Sequence, residues 1–171
     1  PTINITGCCE GLEAATLNIL SGNISITASD DCLNAANSDL TGCSFSMNIS
    51  GGTINAYTSS GDGFDSNGTM TISGGTICVW TANTADNQPL DADGTITITG
   101  GTVLAAGGSA GMGMKLSVSQ PYVTFCQSGS MQPRGGGAVF ADQEVPVARL
   151  AGERGELRPH GRRHEERIAP G

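Results

Sequence analysis

The chain has 171 residues, of which 26 are glycine and only 4% are aromatic, so a folded core must be thin and aliphatic. Residues 1–131 contain ten acidic residues and one basic residue, Lys115, which gives this part a net charge of −9. We expect such a surface to repel nucleic acid and anionic membranes. No apolar run reaches the length of a bilayer-spanning helix, so we also expect no membrane span.

The chain contains four similar segments in succession. They read LNILSGNISITASDDCLNAAN, MNISGGTINAYTSSGDGFDSNG, MTISGGTICVWTANTADNQPLDADG and TITITGGTVLAAGG. Equivalent isoleucines fall at Ile19, Ile49, Ile72 and Ile98, so the repeat length is 30, 23 and 26 residues. Repeats in this range are typical of solenoid proteins, in which each unit buries its apolar side chains only by stacking on its neighbours.

Apolar and polar residues alternate within each segment. Ile24, Ile26 and Ala28 fall on one side of the chain and Ser25 and Thr27 on the other, which is the period-two pattern of a half-buried strand. A Ser-Gly or Gly-Gly turn separates two short strands per unit, and a longer acidic loop follows. The sequence therefore predicts an all-β fold, a parallel β-helix of about four to five coils spaced roughly 4.8 Å apart. We expect it to be right-handed, because strand-crossover-strand connections overwhelmingly are.

The composition changes abruptly near Gln132. All seven arginines lie between Arg134 and Arg167, and the repeat pattern ends. We therefore predict a β-helix domain over residues 1–131 and an irregular Arg/Gly-rich tail over residues 132–171, disordered or loosely packed. An arginine-rich partner arm and a shifted reading frame are the alternatives for the tail.

Two further expectations concern the ends of the stack. A partial fifth unit is expected at residues 111–116, where Lys115 takes the place of the acid. Residues 2–5 already have the alternation of a strand, so we expect further coils upstream of this segment.

The acidic loops align in columns when the four units are superposed. An inward apolar row consists of Leu12, Leu33, Phe64 and Leu90. The oxygen-bearing columns beside it are Glu10, Asp31 and Asp62, then Glu13, Asn34, Asp65 and Asp91, then Asn67 and Asp93.

Stacked carboxylates repel one another. Two of them about 5 Å apart cost roughly 3 kcal/mol at an effective dielectric constant of about 20, so we expect a cation to lie between the coils. Calcium is the candidate, because it accepts about six to eight hard oxygen ligands in flexible geometry, including asparagine side chains. The alternative is that these Asp, Asn and Gly residues are only exposed turn formers.

A second column lies on the outward face of the strands. Thr27, Tyr57, Trp80 and Ala106 are equivalent, so Tyr57 and Trp80 should lie side by side on neighbouring coils. An exposed aromatic pair can stack on the apolar face of a sugar ring while a polar neighbour such as Asn55 binds its hydroxyls. The alternative is an aromatic ladder that only stiffens the sheet.

The six cysteines indicate disulfides if the protein is secreted. Cys32 and Cys43 flank the longest loop and are the best candidate pair, while the adjacent Cys8 and Cys9 could join neighbouring coils.

Several loop segments resemble a known family. The segments CEGLEAATLNI, ITASDDCLNAAN and SGDGFDSNGTMTISGGTI are similar to the repeats of clostridial cellulose- and acid-sugar-binding β-helix proteins, or carbohydrate-binding domain-containing proteins. The resemblance covers roughly residues 7–115. It implies a polysaccharide-lyase-like right-handed β-helix, secreted or on the bacterial cell surface, either monomeric or part of a larger multidomain surface protein. It also implies calcium between the coils and affinity for plant cell-wall polysaccharide such as cellulose or polygalacturonate.

The resemblance also implies which side chains hold the metal. Carried over by position, the candidate ligands are Glu10, Glu13, Asp30, Asp31, Asn34, Asp62, Asp65, Asn67, Asp91 and Asp93.

Three classes of function are compatible with this pattern. We favour a non-catalytic carbohydrate-binding module, because the repeats carry acidic and aromatic columns without an evident catalytic group. The second class is an enzyme. A polysaccharide lyase, the runner-up, needs a basic residue to abstract the proton, and residues 1–131 offer only Lys115. A hydrolase needs a pair of carboxyl groups about 5 to 9.5 Å apart, which stacked acids could supply. The last class is a structural adhesin or stalk.

Overall fold

A computed structural model describes residues 1–82, 87–108, 116–126 and 137–141, with the backbone alone for residues 123–126 and 137–141. The regular structure of these residues is entirely β-strand, so the predicted all-β class is confirmed. No helix capable of crossing a membrane is found among them. The twelve strands in the described ranges are β1 Thr2–Cys8, β2 Leu12–Glu13, β3 Thr16–Ile19, β4 Asn23–Ala28, β5 Leu33–Ala35, β6 Ser46–Thr58, β7 Phe64–Ser66, β8 Thr69–Thr81, β9 Ile96–Gly107, β10 Leu116–Val118, β11 Tyr122–Cys126 and β12 Gly137–Ala141.

The larger sheet pairs successive repeats in parallel. Strand β1 pairs with β4, β4 with β6, β6 with β8 and β8 with β9, while β3 pairs with the first half of β6. The register matches the repeat alignment, because Ile49 pairs with both Ile19 and Ile72, and Ile72 pairs with Ile98. The parallel, in-register stacking of the repeats is therefore confirmed, and the right-handed coiled path stays a prediction.

The glycine turns differ from the prediction of two separate strands in each unit. In β6, β8 and β9 the strand continues through the Gly-Gly pair with a shift of register. Gly52 and Gly75 have φ angles of 95° and 97°, which favour glycine. A Cβ atom on Gly52 would also lie only 3.0 Å from the Gly22 carbonyl oxygen of the preceding repeat. Only the first repeat, with β3 and β4, has two separate strands.

The smaller sheet consists of β2, β5 and β7, again in repeat order and parallel. Leu12 pairs with Leu33 and Leu33 with Phe64, and an isolated bridge adds Leu90. Leu33, Phe64 and Leu90 are fully buried, which confirms the predicted inward row. These side chains share one core with the isoleucines of the larger sheet. Burial of each repeat therefore depends on its neighbours.

The C-terminal strands continue and then cover the edge of β9. Val118 of β10 pairs in parallel with Ile98. Residues 111–115 of the predicted fifth unit, including Lys115, lie outside the described residues. Strand β12 pairs antiparallel with both β9 and β11. The tail predicted as irregular thus contains a strand at 137–141. The physical reason is that the second half of β9 would otherwise present unpaired backbone groups at a sheet edge.

Candidate functional site

The acidic side chains lie in the loops beside the smaller sheet. Because β5 pairs with β7, Asn34 lies next to Asp65 on the neighbouring repeat. The Leu90 bridge to Phe64 brings the next loop, with Asp91, into the same stack. The backbone amide of Asp91 donates to the Phe64 carbonyl at 2.8 Å, which fixes this loop against β7.

Six of the ten predicted metal ligands come together, in two groups. One group is Glu10, Asp30 and Asp31, and the other is Asp62, Asp65 and Asp91. Within each group, one carboxylate oxygen from every residue lies within 4.8 Å of those of the other two. The predicted columns are thus divided into two groups. One lies between the loop that precedes the first repeat and the loop of the first repeat, and the other lies between the loops of the second and third repeats.

Two of these carboxylates also hold the loops in register. The Asp62 backbone amide donates to Asp31 Oδ1 at 2.6 Å, and the Gln88 backbone amide donates to Asp62 Oδ1 at 2.5 Å. Each aspartate therefore accepts a hydrogen bond from the next repeat and keeps its second oxygen for another partner. Gln88 stands where the earlier repeats have an acid. It has no carboxylate, and it takes part in this series of hydrogen bonds through its backbone amide.

The carboxyl groups of the two acidic groups are partly removed from solvent, which affects their ionisation. Desolvation by burial, with a smaller contribution from neighbouring acids, raises the pKa of both Asp31 and Asp62 to about 7. Desolvation followed by repulsion from Asp91 raises the pKa of Asp65 to about 6. Burial also raises the pKa of Glu10, against the opposing effect of its hydrogen bond from Asn34. Ionised carboxylates at these positions require a compensating positive charge.

Asn34 provides a separate test of whether a cation fits. Its side chain is only 9% exposed, and its amide Nδ2 donates to Glu10 Oε2 at 2.9 Å. Its Oδ1 atom is buried without a hydrogen-bond partner among the described residues. A buried carbonyl oxygen without a donor costs free energy, and a hard cation can satisfy it. An amide oxygen with several carboxylates is a donor set that fits calcium.

The other four predicted ligands differ in where they lie relative to the two acidic groups. Asn34 lies at the first group, as described above. Glu13 is exposed and accepts a hydrogen bond from Asn37 Nδ2 at 3.1 Å. Asn67 is exposed. Asp93 is outside both groups of acids, but its charge contributes to the raised pKa of Asp65.

Sequence reasoning missed a buried threonine that supports the acidic loop. Thr58 is fully buried, and its Oγ1 donates to the Asp30 carbonyl oxygen at 2.5 Å. The same oxygen accepts the backbone amides of Ser60 and Gly61 at 3.3 Å. Its counterpart Thr81 donates to the Asn87 carbonyl at 3.1 Å. The available signal was a polar residue at an inward position of two successive repeats.

The aromatic pair lies on the outer face of the larger sheet. Tyr57 and Trp80 pair in register on β6 and β8 and are 44% and 52% exposed. Asn55 is exposed two residues before Tyr57, on the same face of the same strand. The structure thus brings the three predicted sugar-binding residues together, apart from the acidic loops.

The predicted disulfide between Cys32 and Cys43 is wrong. Both thiols are free, as are those of Cys8, Cys9 and Cys78. Cys32 is fully buried in the core and Cys43 is exposed in the loop, which is why the two do not pair. Burial raises the pKa of the Cys32 thiol to about 12.

These features describe an all-β domain of parallel repeats with an exposed aromatic pair on a polar face. The chain matches the family of carbohydrate-binding domain-containing proteins over residues 2–111, more than half of its length, and it belongs to that family. The predicted carbohydrate-binding domain is thereby confirmed. No curated protein and no solved structure matches the chain.

Proposed function

We propose that this chain is a calcium-binding, non-catalytic module that recognises plant cell-wall polysaccharide. The observation that carries the proposal is the pair of exposed aromatic side chains, Tyr57 and Trp80, in register on neighbouring strands of a carbohydrate-binding family member. Aromatic rings of this kind present large, flat apolar surfaces on which sugar rings stack. Asn55 beside them offers an amide that can both donate to and accept from sugar hydroxyls.

The proposed scaffold is a right-handed parallel β-helix. Both sheets pair the same repeats in the same order, and their inward side chains share one core. Along the described residues, the chain alternates between the larger and the smaller sheet, and this alternation supports a coiled path. The right hand follows from the general preference of parallel crossover connections.

The proposed role of calcium is to hold neighbouring acidic loops together. One ion would bind Glu10, Asp30 and Asp31 with the Asn34 side-chain oxygen, and a second would bind Asp62, Asp65 and Asp91. Bound calcium would supply the positive charge that the partly buried carboxylates require. Glu13, Asn67 and Asp93 lie outside these two sets and are not assigned as ligands.

A non-catalytic role is favoured over a polysaccharide lyase by the residue types present. The described residues include no lysine, arginine or histidine, so proton abstraction beside a uronate would fall to a carboxylate or a tyrosine. The acids that could act as a hydrolase pair are committed to loop contacts or to the proposed metal sites. We further propose that the module acts outside a bacterial cell or on its surface, alone or within a larger protein.

The experiment is a sedimentation assay with insoluble cellulose and with calcium-gelled polygalacturonate. We expect the wild type to bind without releasing reducing ends, and Trp80→Ala to weaken binding about fivefold, the scale of one aromatic contact of about 1 kcal/mol. Tyr122→Ala is the matched control, because Tyr122 is 47% exposed but lies outside the aromatic column. Soluble oligosaccharides released by purified protein would instead support an enzyme, and equal loss in both variants would argue against the aromatic site.

A further inference from the structure

A groove lies beside the aromatic pair on the outer face of the larger sheet. It has a volume of about 460 Å³ and crosses the first three strands of the repeat stack. Its lining comprises Thr2, Ile3, Asn4, Asn23, Ile24, Ser25, Thr53 and Asn55. Six of these side chains carry a hydroxyl or an amide group, and all six are exposed.

The alternation of short and long side chains explains the shape of the groove. Ser25 pairs with Asn4 on one side and Asn55 on the other, so a short hydroxyl lies between two longer amides. In the adjacent row the order is reversed, with Asn23 between Thr2 and Thr53. Neighbouring strands are spaced roughly 4.8 Å apart, so the floor at Ser25 is open over about 10 Å.

The polar groups of the groove are available to a ligand. Within the described residues, none of the six polar side chains makes a side-chain hydrogen bond to another protein group. A different outward row shows what stacked amides do when they are adjacent, since Asn48 Nδ2 donates to Asn18 Oδ1 at 3.1 Å. In the groove, Ser25 separates Asn4 from Asn55 and prevents that pairing. The sequence thus leaves three amides and three hydroxyls without internal partners.

We propose that this groove is the principal glycan subsite and that its ligand is a neutral polysaccharide. The inference rests on the proposed carbohydrate-binding function and names its substrate class. Amides and hydroxyls donate and accept hydrogen bonds, as sugar hydroxyls do. No ionisable side chain lines the groove, and residues 1–131 carry a net charge of −9, which disfavours a polyuronate.

The groove ends two residues from the aromatic pair. Asn55 lines it, and Tyr57 follows two residues later on the same face of β6. In the proposed arrangement, a sugar ring stacks on Tyr57 and its neighbouring unit lies at Asn55 and Ser25. In this arrangement the aromatic side chains bind one end of the glycan segment, and the groove determines which hydroxyl pattern is accepted.

The test is isothermal titration of the calcium-loaded protein with cellohexaose, xylohexaose and hexagalacturonate. We expect at least one neutral hexasaccharide to bind at least tenfold more tightly than hexagalacturonate. Ser25→Phe should weaken that binding at least tenfold by filling the groove floor, and Asn55→Ala should weaken it about threefold or more. Asn48→Ala is the matched control, since Asn48 is an exposed asparagine on the same strand outside the groove, and it should leave binding unchanged.

The outcomes separate this inference from the proposed function. Neutral binding that both Ser25→Phe and Asn55→Ala retain would reject the groove and leave the module function intact. A wild-type preference for hexagalacturonate would reject the neutral substrate class. Failure to bind any of the three hexasaccharides would overturn both proposals. The mild Asn55→Ala substitution, on an exposed position, keeps the test decisive if Ser25→Phe does not fold.

Discussion

Replacing Asp65 by asparagine should have opposite effects on stability with and without calcium. Asp65 lies in the second acidic group with Asp62 and Asp91, and its pKa is raised from 3.8 to about 6, first by desolvation and then by Asp91. Because the folded state favours the protonated form, this carboxyl group stabilises the calcium-free protein below about pH 4. That contribution is lost as the pH rises through about 6.

The size of the effect follows from this shift. A rise from 3.8 to about 6 corresponds to a ceiling of about 3 kcal/mol at 1.36 kcal/mol per pH unit. The side chain is partly solvated, so screening reduces the free energy of unfolding involved to about 1 kcal/mol. At pH 7.5 without calcium, Asp65→Asn should therefore raise the melting temperature by about 3 °C. In the wild type, calcium at about 100 times its Kd should add about 2.7 kcal/mol, and the variant should lose much of this gain.

The assay is thermal unfolding of metal-stripped protein between pH 5 and 7.5, with and without millimolar calcium. The wild type without calcium should lose stability as the pH rises through 6 to 7, the folded pKa values of Asp65, Asp31 and Asp62, and calcium should abolish that loss. Asp39→Asn is the control, because Asp39 is exposed and outside both acidic groups. The reasoning is refuted if calcium raises the melting temperature of Asp65→Asn as much as that of the wild type.

Two further substitutions test the loop support and the close stacking of the repeats. Thr58→Val should reduce the free energy of unfolding by about 1 to 2 kcal/mol in chemical denaturation, because it leaves the Asp30 carbonyl and two backbone amides without the Thr58 hydroxyl. The control is Thr76→Val, which lies at an exposed position and should change the free energy of unfolding little. An equal effect of the two substitutions would contradict the role assigned to Thr58. Gly68→Ala should cost about 2 kcal/mol or more, since its Cβ would fall on the Phe45 carbonyl oxygen. Gly42→Ala, with a φ of 77° but open space around it, should cost only about 1 kcal/mol, and the reverse order would count against backbone crowding at Gly68.

The fold was predictable where the same side chain recurs in every repeat. The isoleucine series at Ile19, Ile49 and Ile72 determined the register, because a parallel stack places equivalent residues side by side. Strand β12 was not predictable in this way. Its antiparallel pairing with β9 joins segments that share no repeat, and local periodicity carries no information about which distant strand covers an edge.

The candidate site was predictable in its residue types and less so in its grouping. The columns indicated which acids stack, but not that Asp31 and Asp62 each use one oxygen to bind a backbone amide of the next repeat. That detail depends on loop geometry, as does the burial of Asn34 Oδ1. The Cys32–Cys43 pairing failed for a related reason, because sequence spacing does not reveal that Cys32 points into the core.

The acidic loops and the glycan face are connected through a single strand, β6. Tyr57 lies on the outer face, and the next residue, Thr58, is buried and binds the carbonyl of Asp30 in the first acidic group. A glycan on the outer face therefore has no direct contact with the proposed metal, and calcium can affect glycan binding only by keeping the repeats in register. Loss of that register would separate Tyr57 from Trp80, and it would likewise separate Asn55 from Ser25, because both pairs lie on different strands. The spacing of Asn55 and Tyr57 within β6 would stay unchanged. We therefore expect the proposed calcium to affect both the aromatic pair and the groove, because each is assembled from side chains of more than one strand.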